Sequence, residues 1–467
     1  MRRPALVAAI LVGGVLVAAA FARTGAPSGM DWNRFGYDAA RHNAAPGSGI
    51  TAANAAKLVR LRVKLDGTVD SSPIYLHDVS VKGKSRDVFF VTTTYGKTEA
   101  IDASSGRVLW RFTPPGYSRF AGSAQITNSS PAASTDRSAI YASAPDGRVR
   151  KLRVADGKVL WSTTITRDPT REKLTSSINV SQGRVIMTTG GYIGDAPSYQ
   201  GHVVTMSEQT GRIGRVWNSL CSDRHAIIVP STCSASDSAM WSRSGAAVDP
   251  DNGTLVVATG NATFDGRTNW GDSVLVLSPD AARLLRHYTP ANHEQLNAND
   301  IDLGSTSPAL LPNGYAVQGG KDGILRLLQL HRLPGVNPKT GGELQTLPAP
   351  GGTDVFSAPA VWKGKWVFVA TGAGTDALLF KGGRLHPVWS NRTDGTSPVV
   401  AGSLLYVAGA GAVHVYVPTS GREVATLPTG SVHWQSPIVA DGRVAIPEGN
   451  ANDHDASSGA FNIFRLP

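Results

Sequence analysis

Few residues in this chain combine a reactive type with a useful spacing. Asp300 and Asp302, in Asn-Asp-Ile-Asp-Leu-Gly-Ser, alternate with Ile301, so both carboxylates face one side of a strand or turn. A carboxylate placed beside a bound alcohol can take up its proton, and a divalent cation in a dry site raises the electrophilicity of a bound carbonyl. The same aspartate spacing also suits a solvated turn ahead of the 305–310 segment. Lys321, beside Asp322-Gly323, is either a ligand contact or a decoration on a hairpin. Trp241 and Trp270 can face a ligand or wedge between packed units, and Asn261 opens an Asn-Ala-Thr sequon. His77, His225 and His293 have no paired spacing and read as surface or loop residues. Other chemistries lack their motifs. No Gly-x-Ser-x-Gly elbow occurs, no Gly-x-Gly-x-x-Gly follows a strand, and Gly83-Lys84-Ser85 and Gly96-Lys97-Thr98 lack the glycine that a phosphate loop requires.

The two cysteines, Cys221 and Cys233, close a short loop. A disulfide there contributes about 3 kcal/mol by loop closure. A metal site built from both thiols and His225 is the alternative, without a standard ligand spacing. Met1-Arg2-Arg3 followed by the apolar stretch 4–20 and Ala20-Phe21-Ala22 has the form of an export signal. Cleavage after Ala22 lowers the formal charge from +10 to +8, and an uncleaved anchor helix is the other reading. Export into an oxidising secreted or periplasmic compartment of the cell envelope agrees with the disulfide.

These residues must be positioned by a chain of 467 residues that carries 51 Gly and 28 Pro, too much punctuation for a helical bundle or a coiled coil. With 17% charged and 41% hydrophobic residues it has ample core material, and its Lys and Arg are scattered rather than clustered as a nucleic-acid footprint would be. Internal repeats carry the architecture. A small dyad recurs ahead of an apolar run at Ser72-Pro73, Ser130-Pro131, Ser176-Ser177, Ser244-Gly245, Ser307-Pro308, Ala358-Pro359, Ser397-Pro398 and Ser436-Pro437. Short β-type runs follow, and Asp-Gly or Asn-Gly pairs at Asp66, Asp146, Asp156, Asn252, Asp265, Asn313, Asp322, Asp394 and Asp441 supply left-handed turns. A hairpin ending on tryptophan appears at 100–110 and again at 154–161. Four short strands per repeat make a propeller blade. The last unit, at Phe461 to Arg465, is one strand short, and Leu58 to Val63 can complete it and remove the free edges. The predicted fold is all-β, an eight-bladed β-propeller over 31–467 closed by an N-terminal strand, after a signal at 1–22 and a leader at 23–30.

Ala-Ile-Asp-Ala-Ser-Ser-Gly-Arg-Val-Leu-Trp and Val-Ala-Asp-Gly-Lys-Val-Leu-Trp resemble the tryptophan-docking repeats of quinoprotein dehydrogenases, the pyrroloquinoline quinone (PQQ) propellers. The resemblance implies a quinone across the central funnel, between a tryptophan and a disulfide of two adjacent cysteines. It also implies a calcium ion on glutamate and asparagine, an aspartate base, and an Arg or Lys touching the quinone. Carried over by motif, Trp241 is the stacking tryptophan, Asn261 the calcium-binding asparagine, Asp300 or Asp302 the base and Lys321 the quinone contact. Two positions depart from the pattern. There is no adjacent cysteine pair, and Ala196 stands where the glutamate is expected, leaving neighbouring Asp195 as a shorter oxygen ligand. The resemblance thus implies an oxidoreductase for an alcohol or sugar, using PQQ and Ca2+. Non-catalytic relatives, such as the propeller lipoprotein of the outer-membrane assembly machine, imply instead a scaffold for an envelope protein or polysaccharide.

Overall fold

The computed structural model describes residues 29–195, 198–409 and 411–467. The expected signal at 1–22, the leader up to residue 28 and Ala196 lie outside these residues. Eight antiparallel sheets succeed one another along the chain, at 74–112, 132–164, 179–218, 247–288, 309–348, 360–390, 399–428 and 438–465. They form the eight-bladed propeller. The eighth blade has three strands of its own, and Val59–Leu65 supplies the fourth by pairing antiparallel with Gly459–Arg465, from Val59 opposite Arg465 to Leu65 opposite Gly459. Its alternation explains the choice. Val63 and Leu65 face the core, while Arg60 and Arg62 reach the buried Glu448 at 2.7 Å each. Burial pushes the Glu448 carboxyl up, but hydrogen bonds from Arg62, Asn462 and the Gly430 amide outweigh it and hold the group below its usual range.

The repeats have a packing logic. Trp110, at the end of the fourth strand of blade one, docks on the turn of blade two, where its indole donates to the Val154 carbonyl at 2.8 Å. A side chain at Gly157 would put its Cβ 2.7 Å from the Trp110 ring, and the backbone there has φ +75°. Only glycine accepts both conditions cheaply. Trp161 and Trp389 dock in the same way, on Gly211 and Gly421. The Asp-Gly and Asn-Gly pairs all turn through a positive-φ glycine except at Gly395, which packs without one against Val407 and Ala370.

The small dyads begin the innermost strands and stitch blade to blade. Ser72 N donates to Ser130 Oγ at 2.9 Å, Ser436 N to Ser72 Oγ at 2.8 Å and Ala358 N to Ser397 Oγ at 2.8 Å. Apolar cores lie between neighbouring blades, as where Val88, Phe90 and Trp110 meet Ala133, Ile140 and Val154.

One end of the ring is crossed by the segment that follows Met30. Amides of Tyr75, Ala133, Val248, Val361 and Val400, on innermost strands of blades one, two, four, six and seven, donate to carbonyls of Trp32, Asn33, Ala39, His42 and Asn43. A dozen residues can touch so many blades only by running close to the axis. Arg41 is buried within this crossing and donates to the carbonyls of Phe35, Ser177 and Ile178. His77, expected on the surface, is half-buried on the first strand, with Nδ1 3.0 Å from both Asp87 and Asp441. Among the described residues no helix is long and apolar enough to cross a membrane.

Candidate functional site

At the opposite end of the axis a cavity of about 380 Å³ opens among blades two to five and blade eight. Asp195, Trp241, Asn261, Asp300, Asp302 and Lys321 all line it. Trp241, Asp300 and Asp302 lie in the connections leading into blades four and five, and Asp195, Asn261 and Lys321 follow the second strands of blades three, four and five, Arg184–Gly191, Leu255–Ala258 and Tyr315–Gln318. Lys321 joins the two aspartates, with Nζ 2.5 Å from Asp302 Oδ2 and 3.2 Å from Asp300 Oδ1. Asn261 completes the cluster, its backbone N donating to Asp302 Oδ1 at 2.8 Å and its Nδ2 to Asp300 Oδ1 at 2.9 Å. The two carboxylates differ in setting. The Asp300 side chain is 71% exposed and that of Asp302 only 10%. Burial raises the Asp302 carboxyl from its ordinary value, against the opposing charge and hydrogen bond of Lys321.

Asn261 Oδ1 is buried without a hydrogen-bond partner, and carboxylates of Asp195, Asp237 and Asp300 share its wall. That is the donor chemistry of a hard cation. Asp195 accepts from Tyr199 Oη at 2.9 Å, and burial followed by the charge of Asp195 raises that phenol. Burial, then Asp195 and Asp302, raise Asp237 against the hydrogen bond from Ser236.

Trp241 stands at the centre of an aromatic cluster, 5.9 Å from Phe356 and 6.4 Å from Trp434 between ring centroids. The Lys321 ammonium lies 5.7 Å from the Trp241 centroid. Trp434 also lines a second cavity of about 370 Å³ over blades six to eight. The Cys221–Cys233 disulfide is formed, and it packs beside Leu220, Ile228 and Ala262, outside the cavity lining. Trp270 is core, its indole bonded to Ser222 Oγ at 3.0 Å.

Several lining residues have no counterpart among the expected ones, namely Asn128, Lys173, Tyr192, Asp237, Arg243 and Trp434. A signal was available for some. The residue two positions ahead of the dyads Ser130-Pro131 and Ser436-Pro437 is Asn128 and Trp434, both in the lining, whereas Arg243 stands directly ahead of Ser244-Gly245. Lys173 is carried by the short strand Glu172–Leu174, which pairs with the Gly191 to Thr189 end of a long strand. Beneath it Glu172 Oε1 lies 2.8 Å from His202 Nε2, with both side chains fully buried. The other ring nitrogen, Nδ1, is 2.6 Å from Asn218 Oδ1. Two acceptors require a doubly protonated imidazolium. Burial pushes His202 down, but Glu172 and Asn218 outweigh it and raise its pKa.

Fold and repeats define an eight-bladed propeller with PQQ-type repeats, and comparison with known proteins agrees. The family model described as outer membrane protein assembly factor BamB matches residues 50–259. A quinohemoprotein alcohol dehydrogenase, ADH IIB of Pseudomonas putida, is 25% identical over 330 residues, which cover 64% of this chain and 46% of the relative. This chain therefore spans less than half the length of that relative. Among solved structures, the quinohemoprotein alcohol dehydrogenase of Comamonas testosteroni superposes with a TM-score of 0.69 at 16% identity, covering 94% of this chain and 81% of the other. BamB of Moraxella catarrhalis gives 0.52 at 12% identity, over 87% and 98%. These similarities support a PQQ-type quinoprotein β-propeller family for the chain.

Proposed function

We propose that this protein is an exported, extracytoplasmic oxidoreductase of the quinoprotein type, acting on an alcohol or sugar with PQQ and a divalent cation such as Ca2+ held in the funnel. What supports the reading is the convergence of Trp241, Asn261, Asp300, Asp302 and Lys321 on one cavity at the axis. The donor set suits a cation. Asn261 Oδ1 lacks a partner, and Asp195 and Asp300 offer further oxygens. The Trp241 ring and the Lys321 ammonium would hold the quinone, which when bound supplies an electrophilic carbonyl that takes two electrons from the alcohol carbon. Asp302 is the base in this reading. Its Oδ1 is fixed by the Asn261 amide, and its Oδ2 can receive the substrate hydroxyl proton while Lys321 balances the charge. Asp300, at the mouth, is the cation ligand and a secondary acceptor. A quinone held against Trp241 would have no vicinal disulfide of the family's kind on its other face, because the two cysteines of the chain pair across the 221–233 loop.

The test is to add PQQ and Ca2+ to purified protein and follow quinone absorbance with dye-linked alcohol oxidation. Binding with turnover is expected, and Asp302→Asn should cut turnover by about 10²–10⁴-fold with quinone binding retained. Absence of quinone binding at saturating Ca2+ overturns the enzyme reading. A second reading, a non-catalytic scaffold for an envelope protein or polysaccharide, is favoured by one observation: the Lys321 ammonium already occupies the space between Asp300 and Asp302.

A further inference from the structure

The floor of the funnel holds two buried cations that make no ion pair in contact and feel one acid, Asp70, only at a distance. Lys173 and Arg243 are 7% and 6% exposed, and both line the cavity. Arg243 Nε and Nη1 are buried and without hydrogen-bond partners. Its guanidinium is stacked 4.0 Å above the Trp434 ring, a contact that uses the face of the group and leaves the N–H edge free. Lys173 interacts at a distance with Arg243, a like charge, and with Asp70. Asp70 is already committed. Its Oδ2 accepts from Ala451 N at 3.0 Å and lies 2.8 Å from His433 Nδ1, and its Oδ1 accepts from Trp434 N at 3.1 Å. In the same cavity, Asp300 and Asp302 are taken by Lys321.

Buried charges in folded proteins are paired, and removing the partner of one is severely destabilising. Two buried cations that share only the distant Asp70, with no acid in contact, suit a ligand that brings one. Burial, then the like charge of Arg243, push the Lys173 amine down to about 7 against the opposing charge of Asp70.

We propose that Lys173 and Arg243 form an oxyanion subsite that takes a ligand carboxylate, in the same cavity as the Asp300, Asp302 and Lys321 cluster. A ligand with a carboxylate at one end and a hydroxyl at the other spans both. The carboxylate can belong to a free hydroxy acid or to the quinone, and the subsite does not depend on which. The cavity accordingly selects acidic ligands over neutral alcohols of the same size.

The probes are citrate, sulfate, PQQ and, as the neutral control, glycerol, read by the thermal midpoint and by tryptophan fluorescence of the Trp434 stack. Citrate and sulfate should raise the midpoint and change the fluorescence saturably, and glycerol should do neither at equal concentration. Lys173→Met and Arg243→Met should each weaken citrate binding at least about tenfold. In anion-free buffer Lys173→Met should be more stable than the native protein, an outcome that a structural role for the ammonium forbids. PQQ binding that is lost in the variants assigns the carboxylate to the quinone, and citrate binding without PQQ binding assigns it to a free acid while overturning only the quinone reading. Equal anion binding by native protein and both variants, or a loss of stability in anion-free Lys173→Met, overturns the proposal.

Discussion

Replacing Glu172 by glutamine should remove a charge that holds the floor of the cavity. Glu172 Oε1 sits 2.8 Å from His202 Nε2 and also accepts the Gln200 amide at 3.2 Å, so the strand that presents Lys173 is anchored through this carboxylate. The Asn218 oxygen on the other side of the ring is fixed in place, because its Nδ2 donates to the carbonyls of Arg224 and Ala226. With both side chains fully buried, loss of one partner should cost about 3–5 kcal/mol, the range for an orphaned buried charge. The pH dependence carries its own sign. His202 has a raised pKa in the folded chain, so between the ordinary histidine value and the folded value the native state binds one proton more than the unfolded state. The stabilisation is complete below about pH 6.5 and falls by about 1.4 kcal/mol per pH unit as pH rises through that window, until it is lost above the folded pKa. Urea unfolding from about pH 6 to about pH 9 measures it, with the His202 ring resonance followed by NMR. The native protein should lose stability as pH rises, the variant should lack that slope, and the two curves should draw together at the alkaline end. A His202 that titrates at or below the ordinary value, or identical slopes for both proteins, refutes the reasoning.

Two further outcomes follow from the ring itself. Gly157→Ala forces a side chain into φ +75° and against Trp110 at 2.7 Å, so about 3 kcal/mol should be lost, from left-handed strain and a displaced indole hydrogen bond, as measured by urea unfolding. Glu448→Gln loosens the closing strand at the cost of about 2 kcal/mol per charged hydrogen bond, so amides of 59–65 should exchange faster in hydrogen-exchange measurements. Because the Glu448 pKa is depressed, its contribution is present above the ordinary glutamate value and fades as pH falls through the folded one.

The architecture was readable because its determinants are local and repeated. Ser72, Ser130 and Ser436 mark inner strands wherever they occur, since only small residues let neighbouring blades bond so closely. Val59–Leu65 could be matched to the unpaired last strand because its alternation separates core-facing Val63 and Leu65 from Arg60 and Arg62. The cavity was legible only in part. Asp300, Asp302 and Lys321 stood out by type and spacing, whereas Lys173 and Arg243 carry no motif and become notable only when folding buries them with no acid in contact. Nor does the crossing at 32–45 have a sequence signature. It is held by carbonyls, which every residue possesses.

That crossing also fixes which way the protein faces. Met30 donates its amide to Asp441 at 2.9 Å, on the turn that follows the inner strand of the last blade, so the chain enters at the end away from the funnel mouth. Anything fused or coupled ahead of Gly29 leaves from that closed end. Protein immobilised through its N-terminus would therefore present its cavity to the solution, and a surface carrying it would expose a lawn of upward-facing cups.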